Sequence, residues 1–85
     1  MKITFTPSAW ADYTWWQTQD RATLRRINKL IDDICRNGYE GIGKPEPLRQ
    51  NLSGYWSRRI TSEHRVVYVI EGDAAIIIAC RTHYE

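Results

Sequence analysis

The sequence predicts a small α+β domain in the order β-α-α-β-β-β, two N-terminal helices packed on one face of a twisted antiparallel sheet. Three observations carry that expectation. Apolar residues recur at steps of three and four between Asp20 and Asn37, the period of an amphipathic helix. Three strand-length segments follow, separated by connections of only three or four residues, as in an antiparallel meander. The 85 residues are 42% hydrophobic and 26% charged, ordinary composition for one globular domain, here residues 1–85. A chain this short buries roughly 60–65% of its unfolded surface, a thin margin. Four tryptophans and five tyrosines add apolar area to it.

The elements follow in order. Lys2 to Thr6 alternates Ile3 and Phe5 with Lys2 and Thr4 and reads as a short strand. Pro7 suits the first turn of a helix, with Thr6 as its N-cap. Trp10, Tyr13 and Trp16 give that helix an aromatic face, and it ends near Thr18–Gln19. Asp20 is the expected N-cap of a second helix. Its stripe is Leu24, Ile27, Ile31 and Ile34 with Leu30 alongside, and Asn37-Gly38 closes it. From Tyr39 to Gly54 periodicity is lost among glycines and prolines, a long connection of the kind that carries function. Glu46 stands there between Pro45 and Pro47, so its backbone is stiff. Strands are then expected at Tyr55 to Ile60, Arg65 to Ile70 and Ala74 to Cys80. Trp56 is expected in the core and His64 in a turn.

The formal charge is only +2, but it is unevenly spread. Between Lys44 and Arg65 five cations (Lys44, Arg49, Arg58, Arg59, Arg65) face two acids (Glu46, Glu63), a local basic patch suited to an anionic partner. No apolar run approaches the ~18 residues of a membrane span, and the N-terminus has no apolar core of a signal peptide. A cytoplasmic protein without a membrane partner is expected. Cys35 and Cys80 fit no zinc or CxxC spacing and are expected as reduced thiols, with no metal and no cofactor.

The turn at Gly72 should place Ile70 near Ala74 and Arg65 near Ala79. The chain after Cys80 then returns past Arg65, bringing His83 within about 10 Å of it along the strand direction. Arg59 ends the first strand of the meander at the same edge. If Ile60 pairs with Arg65, however, Arg59 and Arg65 point to opposite faces, and only a shifted register or a bulge brings them together.

A carboxylate, two guanidiniums and an imidazole are what metal-free RNA cleavage needs. RNA supplies its own nucleophile, the 2′-hydroxyl, so the protein must provide a base, cations for the phosphate and an acid for the leaving oxygen. Glu46 is the candidate base. Carboxylates are weak bases, with a reference pKa of ~4.3, which makes positioning important. Arg59 and Arg65 match phosphate as planar forks. His83 is the candidate acid, since imidazole titrates near neutral pH. Tyr84 could stack on a base or donate its hydroxyl. Taken singly, each has a plainer role: solvated loop acid, surface charge, ion-pair partner or a tail packed on the sheet edge.

The segments Gly43-Lys44-Pro45-Glu46-Pro47-Leu48, Asn51 to Ile60, His64-Arg65-Val66-Val67-Tyr68 and Cys80-Arg81-Thr82-His83-Tyr84 occur in this order across the chain. In them the sequence closely resembles the YoeB-type toxins of the RelE/ParE superfamily, ribosome-dependent mRNA interferases of toxin–antitoxin modules. The resemblance implies a microbial-ribonuclease-like fold and metal-independent cleavage of mRNA in the A site of the 70S ribosome. It implies Glu46 as general base, His83 as general acid and Arg65 at the scissile phosphate. Tyr84 would shape the site, while Lys44, Arg49 and Arg59 would bind substrate. A YefM-type antitoxin is the implied partner, and homodimers occur in the family. Arg49 stands where lysine is usual, and Glu85 extends past the usual terminal tyrosine. Two other functions fit the same patch: a non-catalytic RNA- or ribosome-binding translation inhibitor, and a protein-interaction domain that sequesters a regulator.

Overall fold

The structure, a computed structural model, describes residues 1–81. Strand β1 (Lys2–Phe5) leads into helices α1 (Pro7–Gln19) and α2 (Arg21–Asn37), followed by β2 (Glu46–Pro47), a short 3₁₀ turn (Gln50–Leu52), β3 (Trp56–Arg59), β4 (Arg65–Glu71) and β5 (Ala74–Ala79). The expected α+β architecture is present.

Local chemistry sets the helix boundaries where the sequence placed them. Thr6 Oγ1 accepts from the Ala9 amide at 3.1 Å, and Pro7 occupies the first turn, where a missing N–H costs nothing. Asp20 serves two helices. Its N–H donates to the Trp16 carbonyl at the end of α1, and its carboxylate accepts from the Ala22 and Thr23 amides and the Thr23 hydroxyl at the start of α2. Those bonds, the Thr23 hydroxyl first, hold the Asp20 carboxyl below the usual carboxylate range. Gly38 ends α2, its N–H reaching the Ile34 carbonyl.

The five strands run in the order β1-β5-β4-β3-β2. The meander β3-β4-β5 is antiparallel as expected, but β1 joins the free edge of β5 in parallel, with Lys2 opposite Ala74 and Phe5 opposite Ile77, so the sheet is mixed. The Thr6 amide donates to the Ile77 carbonyl at 3.0 Å and the Thr6 hydroxyl to the Ile78 carbonyl at 3.1 Å, so α1 starts where β1 leaves this edge and turns back over the sheet. The Tyr39–Gly54 connection is also more ordered than its composition suggested. Glu46–Pro47 pairs with β3 as a two-residue edge strand, the position in a sheet where proline's missing donor is tolerated.

Both helices cover one face. Ala9 and Trp16 from α1 and Ile27, Leu30, Ile31 and Ile34 from α2 pack on Ile60, Val66, Tyr68, Ala75, Ile77 and Cys80. Leu24 and Trp56 are half-buried against this core. The aromatic face of α1 splits: Trp16 is in the core, whereas Trp10 stays 52% exposed and stacks on Tyr13 beside Phe5. Both cysteines are free; Cys80 is buried and Cys35 half-buried. Among the described residues no helix is long and apolar enough to cross a membrane.

Candidate active site

Strand register decides which side chains share the face left bare by the helices. Arg59 lies directly opposite Arg65, not Ile60 opposite Arg65. Directly opposed residues point the same way, so the two arginines share a face, on Cα atoms about 4.5–5.5 Å apart. Alternation puts Trp56, Arg58, Ile60, Val66 and Tyr68 on the helix side and Ser57, Arg59, Arg65, Val67 and Val69 on the open side. Glu46 lies opposite Ser57 and therefore also faces the open side, one diagonal of about 7–8 Å from Arg59. Ser57 and Val67, only 6% and 1% exposed, lie between the three charged positions.

The turn between β3 and β4 holds Arg65. The Ile60 amide donates to the His64 carbonyl at 2.9 Å, and Thr61 Oγ1 accepts from the Glu63 and His64 amides. Arg65 Nη1 donates to the carbonyls of Thr61 and His64 at 3.2 and 3.3 Å, fixing one arm of the fork. His64, expected as a turn residue, packs its ring edge-on against Trp16 at 5.0 Å, with Nδ1 buried and without a hydrogen-bond partner among the described residues. Arg59 and Glu46 are exposed.

The second hairpin departs from the expected register. Glu71, not Ile70, faces Ala74, and Val67, not Arg65, faces Ala79. An irregularity between Val67 and Tyr68 admits one extra residue on β5, as a β-bulge does, with added local twist. Arg65 therefore lies beyond Ala79, toward the end of the chain. That end is tied to α1 through Arg81. Trp16 Nε1 donates to the Cys80 carbonyl at 2.8 Å, Asp12 Oδ2 accepts from the Cys80 amide at 3.0 Å, and the Arg81 guanidinium stacks 3.7 Å over the Trp15 ring. His83 and Tyr84 lie outside the described residues.

Of the remaining candidates, Lys44 adjoins the cluster. It takes a left-handed φ of +52°, uncommon for a side-chain-bearing residue, just after Gly43, whose carbonyl accepts from the Arg59 amide at 2.7 Å. Arg49 does not join the cluster. It lies three residues beyond Glu46, away from Arg59 and Arg65, about 10 Å of strand rise distant.

One member of the basic patch is not at the surface at all. Arg58 is fully buried and bonded to the Asp33 carboxylate of α2. The sequence carried a signal for this, because alternation within Tyr55–Ile60 groups Arg58 with Trp56 and Ile60 on the core side. Four cations (Lys44, Arg49, Arg59, Arg65) remain against Glu46 and Glu63. Among the described residues no group of three or more His, Cys, Asp or Glu could hold a metal ion.

Comparison with known proteins bears on this site. The sequence family described as the YoeB-like toxin of bacterial type II toxin–antitoxin systems matches residues 5–84. A Synechocystis protein named toxin YoeB is 59% identical over 85 residues, covering all of this chain and 99% of the relative. The fold is similar to that of a YoeB/ParE toxin from Agrobacterium tumefaciens, with a TM-score of 0.95 and 48% identity over 99% of this chain and 100% of that one. It is also similar to a chain of the heterotetrameric YoeB–YefM toxin–antitoxin complex from Staphylococcus aureus, with a TM-score of 0.91 and 48% identity over 99% and 98% of the two chains.

Proposed function

This chain belongs to the YoeB-like toxins of bacterial type II toxin–antitoxin systems, and we propose that it is a ribosome-dependent endoribonuclease that cleaves mRNA in the ribosomal A site and so stops translation. The observation that carries this reading is the pairing of Arg59 with Arg65, with Glu46 opposite Ser57 on the same open face. A carboxylate and two guanidinium forks within one or two residue spacings match the span of a single phosphodiester and its 2′-hydroxyl.

In the proposed reaction Glu46 takes the 2′-hydroxyl proton as O2′ attacks the adjacent phosphorus. Arg65 and Arg59 donate to the non-bridging oxygens, where negative charge accumulates. The P–O5′ bond breaks, and His83 protonates the departing O5′. The products are a 2′,3′-cyclic phosphate and a 5′-hydroxyl. Lys44 and Arg49 would bind flanking phosphates, with Arg49 one to two nucleotides away, and Tyr84 would shape the site. The roles of His83 and Tyr84 rest on family resemblance. Nothing in the scheme calls for a metal or a cofactor. The ribosome as target requires a cytoplasmic protein. The partner would be a YefM-type antitoxin, whose flexible segment would cover the basic face; the S. aureus relative solved with YefM supports this.

Primer extension on a translated message tests the proposal. Wild-type protein should produce stops within codons and new 5′-hydroxyl ends. Glu46→Ala and Arg65→Ala should fold normally and lose about a hundredfold or more in cleavage rate. Wild-type cleavage by both variants would overturn the assigned chemistry. Translation arrest by wild-type protein without new ends would favour non-catalytic ribosome binding.

A further inference from the structure

Strand β2 has only two residues, one of them proline, and so has few ladder hydrogen bonds with which to hold Glu46 against β3. The Leu48 amide, donating to the Tyr55 carbonyl at 2.8 Å, ties the chain just after Glu46, and a larger set of bonds holds the chain just before it, on the opposite side of the sheet. The Arg58 guanidinium has five N–H donors, and each meets an acceptor. Nε donates to the Tyr68 hydroxyl at 3.1 Å, and Nη1 donates to Asp33 Oδ2 and, at 3.0 Å, to the Ile42 carbonyl. Nη2 donates to the carbonyls of Gly38 and Glu40 at 2.8 and 2.7 Å. Three alternate carbonyls of the segment leading to Glu46 thus converge on one buried cation. Asp33 closes the ring by accepting from the Ile42 amide at 3.1 Å and from Asn37 Nδ2 at 2.8 Å.

The segment also has no slack. Gly41 sits at φ +122°, and a Cβ there would lie 2.0 Å from Asp33 Oδ2. The next carbonyl, that of Gly43, accepts from the Arg59 amide. Adjacent residues of β3 therefore do two jobs: Arg58 grips the connection on the helix face, and Arg59 presents its fork on the open face. A well-packed apolar group would often match a buried ion pair in stability, but it could not gather three backbone carbonyls at fixed positions.

We propose that the Arg58–Asp33 clasp is a positioning element for Glu46, setting the carboxylate opposite Ser57 and beside Arg59 by winding the 38–43 segment around a buried guanidinium. It rests on the assignment of Glu46 as the base. Arg58 touches no substrate in this role, and its effect travels through the backbone to Glu46.

The test uses the full-length toxin on programmed ribosomes, in single-turnover cleavage with ribosome titration. Asp33→Asn, which keeps the shape but removes the charge, leaves the buried Arg58 cation unpaired and should be less stable than wild type, so circular dichroism first establishes that it is folded at the assay temperature. It should lose about ten- to a hundredfold in maximal cleavage rate, with little change in the half-saturating ribosome concentration. Hydrogen exchange at the Ile42 and Arg59 amides should speed up. In a Glu46→Gln background, whose residual cleavage is followed over hours, adding Asp33→Asn should produce no further loss. Should Asp33→Asn fail to fold, Arg58→Lys, which keeps the charge but not the five-donor fork, serves for the same comparisons. Wild-type rates despite faster amide exchange, or a fully additive loss with Glu46→Gln, would overturn the proposal. If Glu46→Gln alone cleaves normally, the base assignment fails and the clasp's catalytic role fails with it. If Glu46→Gln is inactive while Asp33→Asn is fully active, only the clasp's role fails.

Discussion

Replacing Arg58 by methionine should be among the most damaging single changes in this chain. Arg58 is 0% exposed, and its five donors satisfy the Tyr68 hydroxyl, the Asp33 carboxylate and three carbonyls. Methionine fills much of the volume but takes the donor from the Glu40 and Ile42 carbonyls and the cation from the partly buried Asp33 carboxylate, which keeps only the Ile42 amide and Asn37 Nδ2. Breaking a buried ion pair from one side costs about 3–5 kcal/mol. A domain of this size has on the order of 4–13 kcal/mol of total stability, so the change removes a large share of it, or all. At about 4–8 °C per kcal/mol, the melting temperature should fall by roughly 12 °C or more.

The same helix provides a control. Arg36 and Asp32 form an i,i+4 pair at 3.1 Å with side chains 74% and 65% exposed, and Asp32→Ala should cost no more than about 0.5 kcal/mol. Urea unfolding followed by tryptophan fluorescence measures both. The double variant Arg58→Met/Asp33→Leu should lose less than the sum of its parts, by about 0.5–3 kcal/mol, because neither charge is then orphaned. An Arg58→Met loss no larger than that of Asp32→Ala would refute the reasoning.

Other outcomes follow from the same structure. Hydrogen bonds, from Arg58 first in Asp33 and from the Thr23 hydroxyl first in Asp20, hold both carboxyls below the usual carboxylate range. Their stabilisation is therefore present above the unfolded carboxylate pKa of ~3.9 and lost as pH falls through the lowered folded values; acid titration monitored by circular dichroism should show that loss, with a shallower slope in Asp33→Asn. Burial first, and then the Asp12 carboxylate, push the Cys80 thiol up to about 12, so Ellman's reagent at pH 8 should label at most the half-buried Cys35 in native protein and both thiols after denaturation. Gly72, at φ +60° in the two-residue β4–β5 turn, has open space where a Cβ would go, so Gly72→Ala should cost only the backbone term of about 1–2 kcal/mol. Gly41→Ala adds a clash with Asp33 and should cost clearly more in the same urea assay.

Sequence alone determined what depends on neighbours along the chain. Thr6 and Asp20 cap the helices they were expected to cap, Gly38 ends α2, and the stripe of α2 faces the sheet. Short connections fix β3, β4 and β5 as an antiparallel meander. These outcomes follow from hydrogen bonds and periodicities spanning a few residues. The family blocks singled out Glu46, Arg59 and Arg65 as candidates, and the strand register places these three positions on one face.

Tertiary structure decided what depends on distant partners. The parallel docking of β1 on β5 joins residues more than seventy positions apart. The pairing of Arg59 with Arg65 was open, and the second hairpin departs from its expected register twice, by one residue at Glu71–Ala74 and by one more at the bulge, because turn geometry and bulges set register and one residue of slip reverses every side chain. Arg58 shows the difference most directly. As a residue it is one more cation in a basic patch; its neutralising carboxylate lies 25 positions away on α2, and its carbonyl partners sit in a connection with no periodicity. A guanidinium is buried only when the folded chain brings every acceptor to it at once, and no local pattern specifies that set.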